Sequence, residues 1–230
     1  MILLDLSYNR RFSSLTSNTF KGLKKLELLD LWFNNIATIP DNVFNDLEKL
    51  QYLGLDSNKL TQLKANQFIG LKNLVDLVLE FNQIVIIEEE SFKDLDNLLF
   101  LFLDNNKIET IERDMLTHLH SLTFLTLSYN NIQYLASRVF GDMPNLQQLS
   151  LAFNSINYVG NSEFRDFKSL VLLSLLSNKI SYIDPNIVQG SNKLVRLCLG
   201  SNLFPENFSI NTSELTSINT LAIFSPTCSA

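Results

Sequence analysis

Residues 98–111 read LLFLFLDNNKIETI. In this stretch leucine stands at the first, fourth and sixth positions, asparagine at the ninth, and isoleucine at the eleventh and fourteenth. Leucines at positions four and six, with a variable residue between them, show the period-two alternation of a strand with one buried face. The stretch therefore predicts one short strand followed by a turn that contains an asparagine.

The same pattern returns along almost the whole chain. Asn9 is followed after 25 residues by eight asparagines at intervals of 24: Asn34, Asn58, Asn82, Asn106, Asn130, Asn154, Asn178 and Asn202. One such unit buries too little surface to be stable alone, so the units must stack, with their strands in one parallel sheet. We predict a solenoid of about nine repeats over residues 1–204, followed by an irregular segment at 205–230, in a single domain. Four apolar side chains favour a partial cap in that segment: Leu215, Ile218, Leu221 and Ile223.

The asparagine is a polar residue within an apolar frame. Backbone groups in the turn after each strand need partners inside the stack, and an amide side chain offers both a donor and an acceptor. We expect the asparagines to form a ladder that satisfies the turn of their own unit and that of the next.

A second apolar position, the nineteenth, is occupied mostly by phenylalanine: Phe44, Phe68, Phe92, Leu116, Phe140, Phe164 and Val188. Rings at one register should stack along the convex side, with Leu116 and Val188 interrupting the column. The apolar spacing after this position covers only about two helical turns, so short turns or 3₁₀ segments are expected there.

The unit L-x-x-L-x-L-x-x-N-x-I-x-x-I resembles the leucine-rich-repeat family. Its 24-residue length and its phenylalanine are similar to the extracellular "typical" subclass, which includes Toll-like receptor ectodomains, chaoptin-like adhesion proteins and variable lymphocyte receptors. The resemblance implies an α/β-class horseshoe with a parallel sheet on its concave face, and it implies ligand binding rather than catalysis. Members usually carry cysteine-rich caps at both ends, whereas this chain has only Cys198 and Cys228.

Composition excludes several classes of function. With 24 acidic and 18 basic residues the net charge is -6, and no Lys/Arg cluster stands out, so nucleic acid is not expected as a partner. No apolar run approaches the roughly 18–20 residues that cross a bilayer. No nucleophile elbow or phosphate-binding loop occurs, so we predict that the chain is not an enzyme and needs no cofactor.

The variable positions three, five and seven of each unit face the concave side and form the candidate ligand site. Aromatic residues gather there in the middle units, next to a row of acids at position seven. Such a patch is typical of a protein-binding hot spot with a preference for a basic partner. The candidate ligand-binding residues are Trp32, Tyr52, Asp56, Asp76, Glu80, Phe100, Phe102, Asp104 and Phe124.

Other readings of the same residues are less favoured. The acids Asp56, Glu80 and Asp104 could bind a cation, although strands alone do not complete its ligand set. His118 and His120 could bind zinc, although no cysteine is near in sequence, and exposed histidines are the default interpretation. The aromatic residues at position eight, next to the asparagine turn, are expected to serve packing: Phe33, Phe81, Tyr129 and Phe153.

The tail carries weaker signals. Cys198 and Cys228 could form a disulfide if the tail folds back, a pairing that spacing alone does not establish. Asn207 and Asn211 lie in glycosylation sequons, which favour secretion only slightly. No signal peptide precedes the first repeat, and since the pattern is already under way at Met1, we expect a longer parent protein.

Two hypotheses for function follow. In the first, the chain is part of an extracellular or cell-surface receptor or adhesion ectodomain of immune-recognition type that captures a protein on its concave face; an intracellular location is not excluded. In the second, it is a structural module that associates with its own kind through the solenoid ends or the convex face.

Overall fold

Short parallel strands, one from each repeat, build the sheet. The computed structural model describes residues 1–112, 115–116, 118–140, 143–160, 163–164, 167–187 and 190–210, and the backbone alone of 220–222. Ten strands form one parallel sheet: β1 (Leu3–Asp5), β2 (Leu28–Asp30), β3 (Tyr52–Gly54), β5 (Asp76–Val78), β7 (Phe100–Phe102), β9 (Phe124–Thr126), β11 (Gln148–Ser150), β13 (Leu172–Ser174), β15 (Arg196–Cys198) and β16 (Thr220–Ala222). The predicted solenoid with a parallel sheet is confirmed.

Three smaller parallel sheets of two strands each lie beyond the asparagine turns. They pair β4 (Gln62–Leu63) with β6 (Ile86–Ile87), β8 (Thr110–Ile111) with β10 (Tyr134–Leu135), and β12 (Tyr158–Val159) with β14 (Tyr182–Ile183). Each strand covers positions thirteen and fourteen of a repeat, with the residue at fourteen buried. The sequence analysis missed these strands, although strand-favouring Ile, Thr and Tyr at position thirteen were a signal for them. In the described residues, turns fill the rest of the convex side, in agreement with the short convex segments that the sequence predicts.

The leucine frame forms the core because the strands pair in register. Leu77 lies opposite Leu101, which lies opposite Leu125, so each leucine contacts its equivalents in the neighbouring repeats. Leu101 and Leu103, at positions four and six, are fully buried. Each such leucine contributes about 1.5–3 kcal/mol on burial, and this repeated contribution stabilises the stack.

The spacing of the phenylalanine column favours a curved stack. The ring centroids of Phe44 and Phe68 are 6.3 Å apart with planes within 1° of parallel, and Phe68 and Phe92 are also 6.3 Å apart. Paired strands on the opposite side are only about 4.8 Å apart. Each repeat is therefore wider at its phenylalanine than at its strand, and this difference favours bending of the stack towards the sheet. Leu116 separates these rings from a second stack, in which Phe140 and Phe164 are 5.7 Å apart, whereas Val188 lies outside the described residues.

The residue before each asparagine has a left-handed backbone conformation. Its φ lies between 51° and 57° in all nine repeats: Tyr8, Phe33, Ser57, Phe81, Asn105, Tyr129, Phe153, Ser177 and Ser201. For a residue other than glycine this conformation costs roughly 1 kcal/mol. It reverses the chain direction tightly after the strand, and the asparagine that follows points inward.

The inward asparagine satisfies two turns at once. Asn106 Nδ2 donates to the carbonyl oxygens of Leu79 (3.0 Å) and Leu103 (3.1 Å), and Asn106 Oδ1 accepts the backbone N–H of Ile84 at 3.0 Å. Leu79 and Ile84 belong to the preceding repeat, so the expectation that the second turn belongs to the next repeat is wrong. The same hydrogen bonds recur from Asn58 to Asn202.

The ladder is incomplete at its amino end. Asn34 Oδ1 has no hydrogen-bond partner among the described residues. The repeat before it has 25 residues instead of 24, and there the N–H of Phe12 donates to the carbonyl oxygen of Asn9. The longer first repeat therefore presents a different turn to Asn34.

The carboxyl end of the sheet differs from its middle. Strand β16 pairs with β15 in the same parallel register as the other strands. Leu172, at position three, is buried, whereas Asp76, Phe100 and Phe124 at the same position of the middle repeats are half-buried. Of the expected cap residues, Leu215, Ile218 and Ile223 lie outside the described residues, and Leu221 is described only by its backbone. In the described part of the chain, no helix has the length and apolarity to span a membrane.

Candidate ligand-binding face

Three rows of variable side chains cross the concave face, because each strand pairs with its neighbours in register. The row at position three contains Tyr52, Asp76, Phe100 and Phe124. The row at position seven continues beyond the strands, since the N–H of Phe81 donates to the carbonyl oxygen of Asp104 and the equivalent bonds form in neighbouring repeats. All nine predicted ligand-binding residues are half-buried, so each presents part of its side chain to solvent.

Three phenylalanines form an aromatic cluster on β7 and β9. The ring centroid of Phe124 is 5.4 Å from that of Phe102 and 6.3 Å from that of Phe100, with interplanar angles of 46° and 44°. Tilted contacts of this kind contribute about 0.5–1.5 kcal/mol beyond the area they bury, which holds the rings in place. The cluster is a preformed apolar surface in the middle of the face.

A pair of carboxyl groups lies beside this cluster. The side chains of Glu80 and Asp104 stand at position seven of adjacent repeats. Burial and the negative charges of Asp104 and Asp56 raise the pKa of Glu80 to about 7. Burial also raises the pKa of Asp104, although a hydrogen bond from the backbone N–H of Ser128 to Asp104 Oδ1 opposes the shift. The pair therefore retains a proton at pH values where isolated carboxyl groups are ionised.

The remaining concave acids form no ion pair in the described part of the chain. Burial is the main cause that raises the pKa values of Asp30, Asp56 and Asp76. In the described part of the chain the ion pairs use Glu27, Glu48 and Glu90, and none uses a concave carboxyl group. A cation brought by a ligand would offset part of this desolvation.

Tyr52 lies among these carboxyl groups, and Gly54 makes room for it. Burial, followed by the charges of Asp30, Asp56, Asp76 and Glu80, raises the pKa of Tyr52 to about 12. A Cβ atom on Gly54 would stand 3.0 Å from the Tyr52 hydroxyl oxygen and 2.8 Å from Asp30 Oδ1. Asp30 is thus part of the site, although the predicted site omitted it; its place at position five was the signal.

Trp32 belongs to a separate group at the amino end. Its ring meets Tyr8 edge to face at 4.4 Å, and Tyr8 also contacts Phe33 at 4.7 Å. The guanidinium of Arg10 lies 5.1 Å from the Phe33 ring centroid. The structure therefore divides the nine predicted residues into Trp32 and a connected set on repeats three to six.

The position-eight aromatics do not serve packing as expected. Phe81, Tyr129 and Phe153 are exposed, and Phe33 is half-buried. Tyr129 and Phe153 instead stack on each other at the surface, with centroids 4.3 Å apart and planes within 5° of parallel. The packing expectation is wrong for these three residues because the left-handed turn directs their side chains outward.

The metal-binding alternatives gain no support. No group of three or more His, Cys, Asp or Glu side chains in the described residues could hold a metal ion. His118 is half-buried and His120 is exposed, in the turns before β9.

The tail predictions fall partly outside the described residues. Cys198 is disulfide-bonded and fully buried, whereas Cys228 is not among the described residues. Asn207 is exposed in a turn, as a glycosylation acceptor must be, and Asn211 is not among the described residues.

Sequence comparison agrees with this architecture. The family profile described as "Leucine rich repeat" matches overlapping segments at residues 2–60, 25–84, 72–132, 101–156, 125–180 and 144–204. The chain belongs to the leucine-rich-repeat family. Domains of this family and fold are typically protein-interaction modules without catalysis. A comparison with curated proteins gives no match.

Solved structures share the fold. A crystal structure of a TLR13–ssRNA13 complex is 24% identical with a TM-score of 0.68, covering 92% of this chain and 38% of that one. The leucine-rich repeat domain of APL1B is 22% identical with a TM-score of 0.78, covering 96% and 61%. The plant peptide hormone receptor RGFR1, solved with RGF2, is 28% identical with a TM-score of 0.71, covering 91% and 33%. The first two likenesses show the fold alone, and this chain spans less than two thirds of each of these proteins.

Proposed function

We propose that this chain is the ligand-binding module of an extracellular or cell-surface receptor, and that it captures a basic segment of a protein or peptide on the concave face of repeats three to six. The observation that carries the proposal is that Asp76 pairs in register with Phe100, which places a preformed aromatic cluster beside carboxyl groups that form no ion pair among the described residues. RGFR1, a similar solved protein, is a peptide hormone receptor in complex with RGF2, which makes a peptide ligand a reasonable class to test.

The two halves of the site act differently on such a ligand. The rings of Phe100, Phe102 and Phe124 offer apolar area whose geometry is already fixed, so little side-chain entropy is lost on binding. The carboxyl groups of Asp76, Glu80 and Asp104 would accept hydrogen bonds from an arginine or lysine laid beside the rings. The aromatic half supplies affinity, and the acidic half selects for positive charge.

A nucleic acid is a poor ligand for the same face. Phosphate groups bind where lysine and arginine neutralise them. Here the site is lined by the carboxyl groups of Asp56, Asp76, Glu80 and Asp104. The single-stranded RNA in the TLR13 structure is therefore not the ligand class that we propose for this chain.

The extracellular location that we propose rests on two features near the carboxyl end of the chain. A disulfide at Cys198 is typical of proteins that fold in an oxidising compartment. Asn207 stands exposed within a sequon, where a glycan could be attached. Both features fit a secreted or cell-surface parent protein.

The test is a peptide-display selection on the immobilised chain, in which the probe is a library of random 12-residue peptides. We expect the selected peptides to be rich in Arg and Lys, and to bind a Phe100→Asp/Phe124→Asp variant at least about tenfold more weakly. Gln148→Asp is the matched control, since Gln148 stands at the same strand position one repeat beyond the cluster. Selected peptides that bind wild type and the double variant equally would place the site elsewhere.

A further inference from the structure

One side of the solenoid carries most of the exposed apolar side chains. We call it the exit flank: positions eight to thirteen of repeats four to eight, which join the end of each concave strand to the small convex strands (residues 81–86, 105–110, 129–134, 153–158 and 177–182). Eight of the fourteen exposed large apolar residues in the described chain lie here: Phe81, Val85, Ile86, Tyr129, Tyr134, Phe153, Tyr158 and Tyr182. The remaining six lie near the two chain ends or on the turns, so the enrichment belongs to this flank.

Four of the six aromatic side chains of the flank are held in stacked pairs. Tyr158 and Tyr182 stack with centroids 5.1 Å apart and planes within 10° of parallel, as Tyr129 and Phe153 do at 4.3 Å. Strands β12 and β14 place Tyr158 directly opposite Tyr182. A partner that covers these rings therefore orders few side chains, and the entropic cost of association is reduced.

The exposed apolar area of the flank lies in two parts, one on repeat four and one on repeats six to eight, with Lys107 and Glu109 of repeat five between them. Each of these side chains is about half exposed, so together they present roughly 700 Å², given 150–250 Å² for an aromatic side chain. A standard stable interface buries about 800 Å² on each partner. The two parts together thus approach one side of a stable interface.

Charge favours a second copy of this chain as the occupant. The chain carries a net charge of -6, so two copies repel each other unless they meet on a surface with little negative charge. The exit flank has only three charged residues, Lys107, Glu109 and Lys179, for a net of +1. The concave face, by contrast, holds Asp30, Asp56, Asp76, Glu80 and Asp104.

We propose that the exit flank is a self-association surface, on which two copies of this chain pair about a twofold axis near Tyr134 in repeat six. This axis sets repeat four of one copy against repeat eight of the other, so that Phe81 and Ile86 face the Tyr158–Tyr182 stack. The concave faces of both copies stay open. The surface is separate from the ligand site, and the proposal stands or falls independently of the proposed function.

The test is sedimentation velocity of the complete chain between about 1 and 100 µM. We expect a monomer–dimer equilibrium with a Kd on the order of 10 µM, as fits an interface near the lower size limit. Tyr134→Asp/Tyr158→Asp should weaken it at least tenfold, because two charges would enter an apolar contact. Gln148→Asp, at an exposed residue of the concave face, is the control and should leave the Kd unchanged. Circular dichroism checks that each variant folds.

A cross-linking variant tests the geometry independently of affinity. Tyr134→Cys lies next to the proposed axis, so mild oxidation should convert it to a covalent dimer, whereas Phe102→Cys should stay monomeric. A wild-type chain that remains monomeric at 100 µM would overturn the proposal. It is also overturned by a dimer that persists in the flank variant or that Tyr134→Cys does not trap.

Discussion

Glu80 and Asp104 stand at position seven of adjacent repeats of the concave face, and the negative charge of Asp104 disfavours ionisation of Glu80. Burial, this charge and the charge of Asp56 raise the pKa of Glu80 to about 7. The centre of the proposed ligand site therefore changes its charge near neutral pH, and this has consequences for stability and for binding.

The stability of the chain should fall as pH rises through the range in which Glu80 ionises. In the unfolded chain Glu80 titrates near its ordinary pKa of 4.5, and in the folded chain near 7. Between these values the folded state binds more protons, so the free energy of unfolding decreases with increasing pH. Glu80→Gln stays neutral at every pH, so its melting temperature should decrease less between pH 5 and pH 8, as thermal denaturation will show. Glu109→Gln, an exposed control on the exit flank, should follow wild type; a Glu80→Gln curve that does the same contradicts the raised pKa of Glu80.

Binding of a basic peptide should show the opposite pH dependence. Glu80 is mostly protonated below pH 6 and mostly charged at pH 8, where it attracts a cation. We expect the affinity of a selected Arg-containing peptide to rise about threefold to tenfold from pH 6 to pH 8 at low salt. Titration calorimetry at both pH values measures the change, and Glu80→Gln should remove most of it. An equal change in the variant would assign the dependence to another group.

The asparagine ladder should contribute strongly to stability in the middle of the stack. Asn106→Ala leaves the carbonyl oxygens of Leu79 and Leu103 and the N–H of Ile84 without their side-chain partner in a buried turn. Its free energy of unfolding should fall by at least about 1–3 kcal/mol in urea denaturation. Asn131→Ala, which removes an exposed amide from the same kind of turn, should change it by less than about 0.5 kcal/mol. Equal midpoints for the two variants would argue against the ladder.

Gly54 should matter more for the ligand site than for the fold. A Cβ at this position meets the ends of two side chains, the Tyr52 hydroxyl and the Asp30 carboxylate, rather than backbone. In Gly54→Ala both side chains must move by a few tenths of an ångström or more, whereas the strand itself can persist. We expect selected peptides to bind this variant about threefold more weakly at an almost unchanged melting temperature. Unchanged affinity, measured by calorimetry, would show that the position of Tyr52 does not affect the site.

Thiol chemistry tests whether Cys198 and Cys228 form a disulfide within one chain. Cys198 is disulfide-bonded, and Cys228 is the other cysteine of the chain. If the two pair within one chain, thiol titration of the denatured, unreduced protein should find no free thiol, and non-reducing electrophoresis should show a monomer. Reduction should then yield two thiols per chain. A covalent dimer in the wild-type protein would instead indicate pairing between chains.

Much of the site could be predicted from the sequence because the repeat fixes the direction in which each side chain points. The 24-residue period assigns each residue a position, and positions three, five and seven must face the concave side of a strand with buried leucines at four and six. The period therefore places four residues in one row: Tyr52, Asp76, Phe100 and Phe124. The neighbours along this row follow from the period, since equivalent residues of adjacent repeats pair in register.

Other features depend on how the repeats pack in three dimensions. The period does not reveal that the pKa of Glu80 is raised, since this depends on burial and on the charges of Asp104 and Asp56. Nor does it show that Phe81, Tyr129 and Phe153 point outward, which follows from the left-handed turn at position eight. The burial of Leu172 at position three likewise has no counterpart among Asp76, Phe100 and Phe124 at the same position.

The repeat pattern is sufficient to identify this chain as a leucine-rich-repeat solenoid, because apolar periodicity and a buried asparagine constrain each unit in the same way. The asparagine column marks the scaffold and carries no information about a ligand. The packed repeats, in contrast, show which variable residues meet, which carboxyl groups resist ionisation, and which flank leaves its rings in solvent. These properties depend on side-chain distances between repeats and on desolvation, and both arise only when the repeats stack.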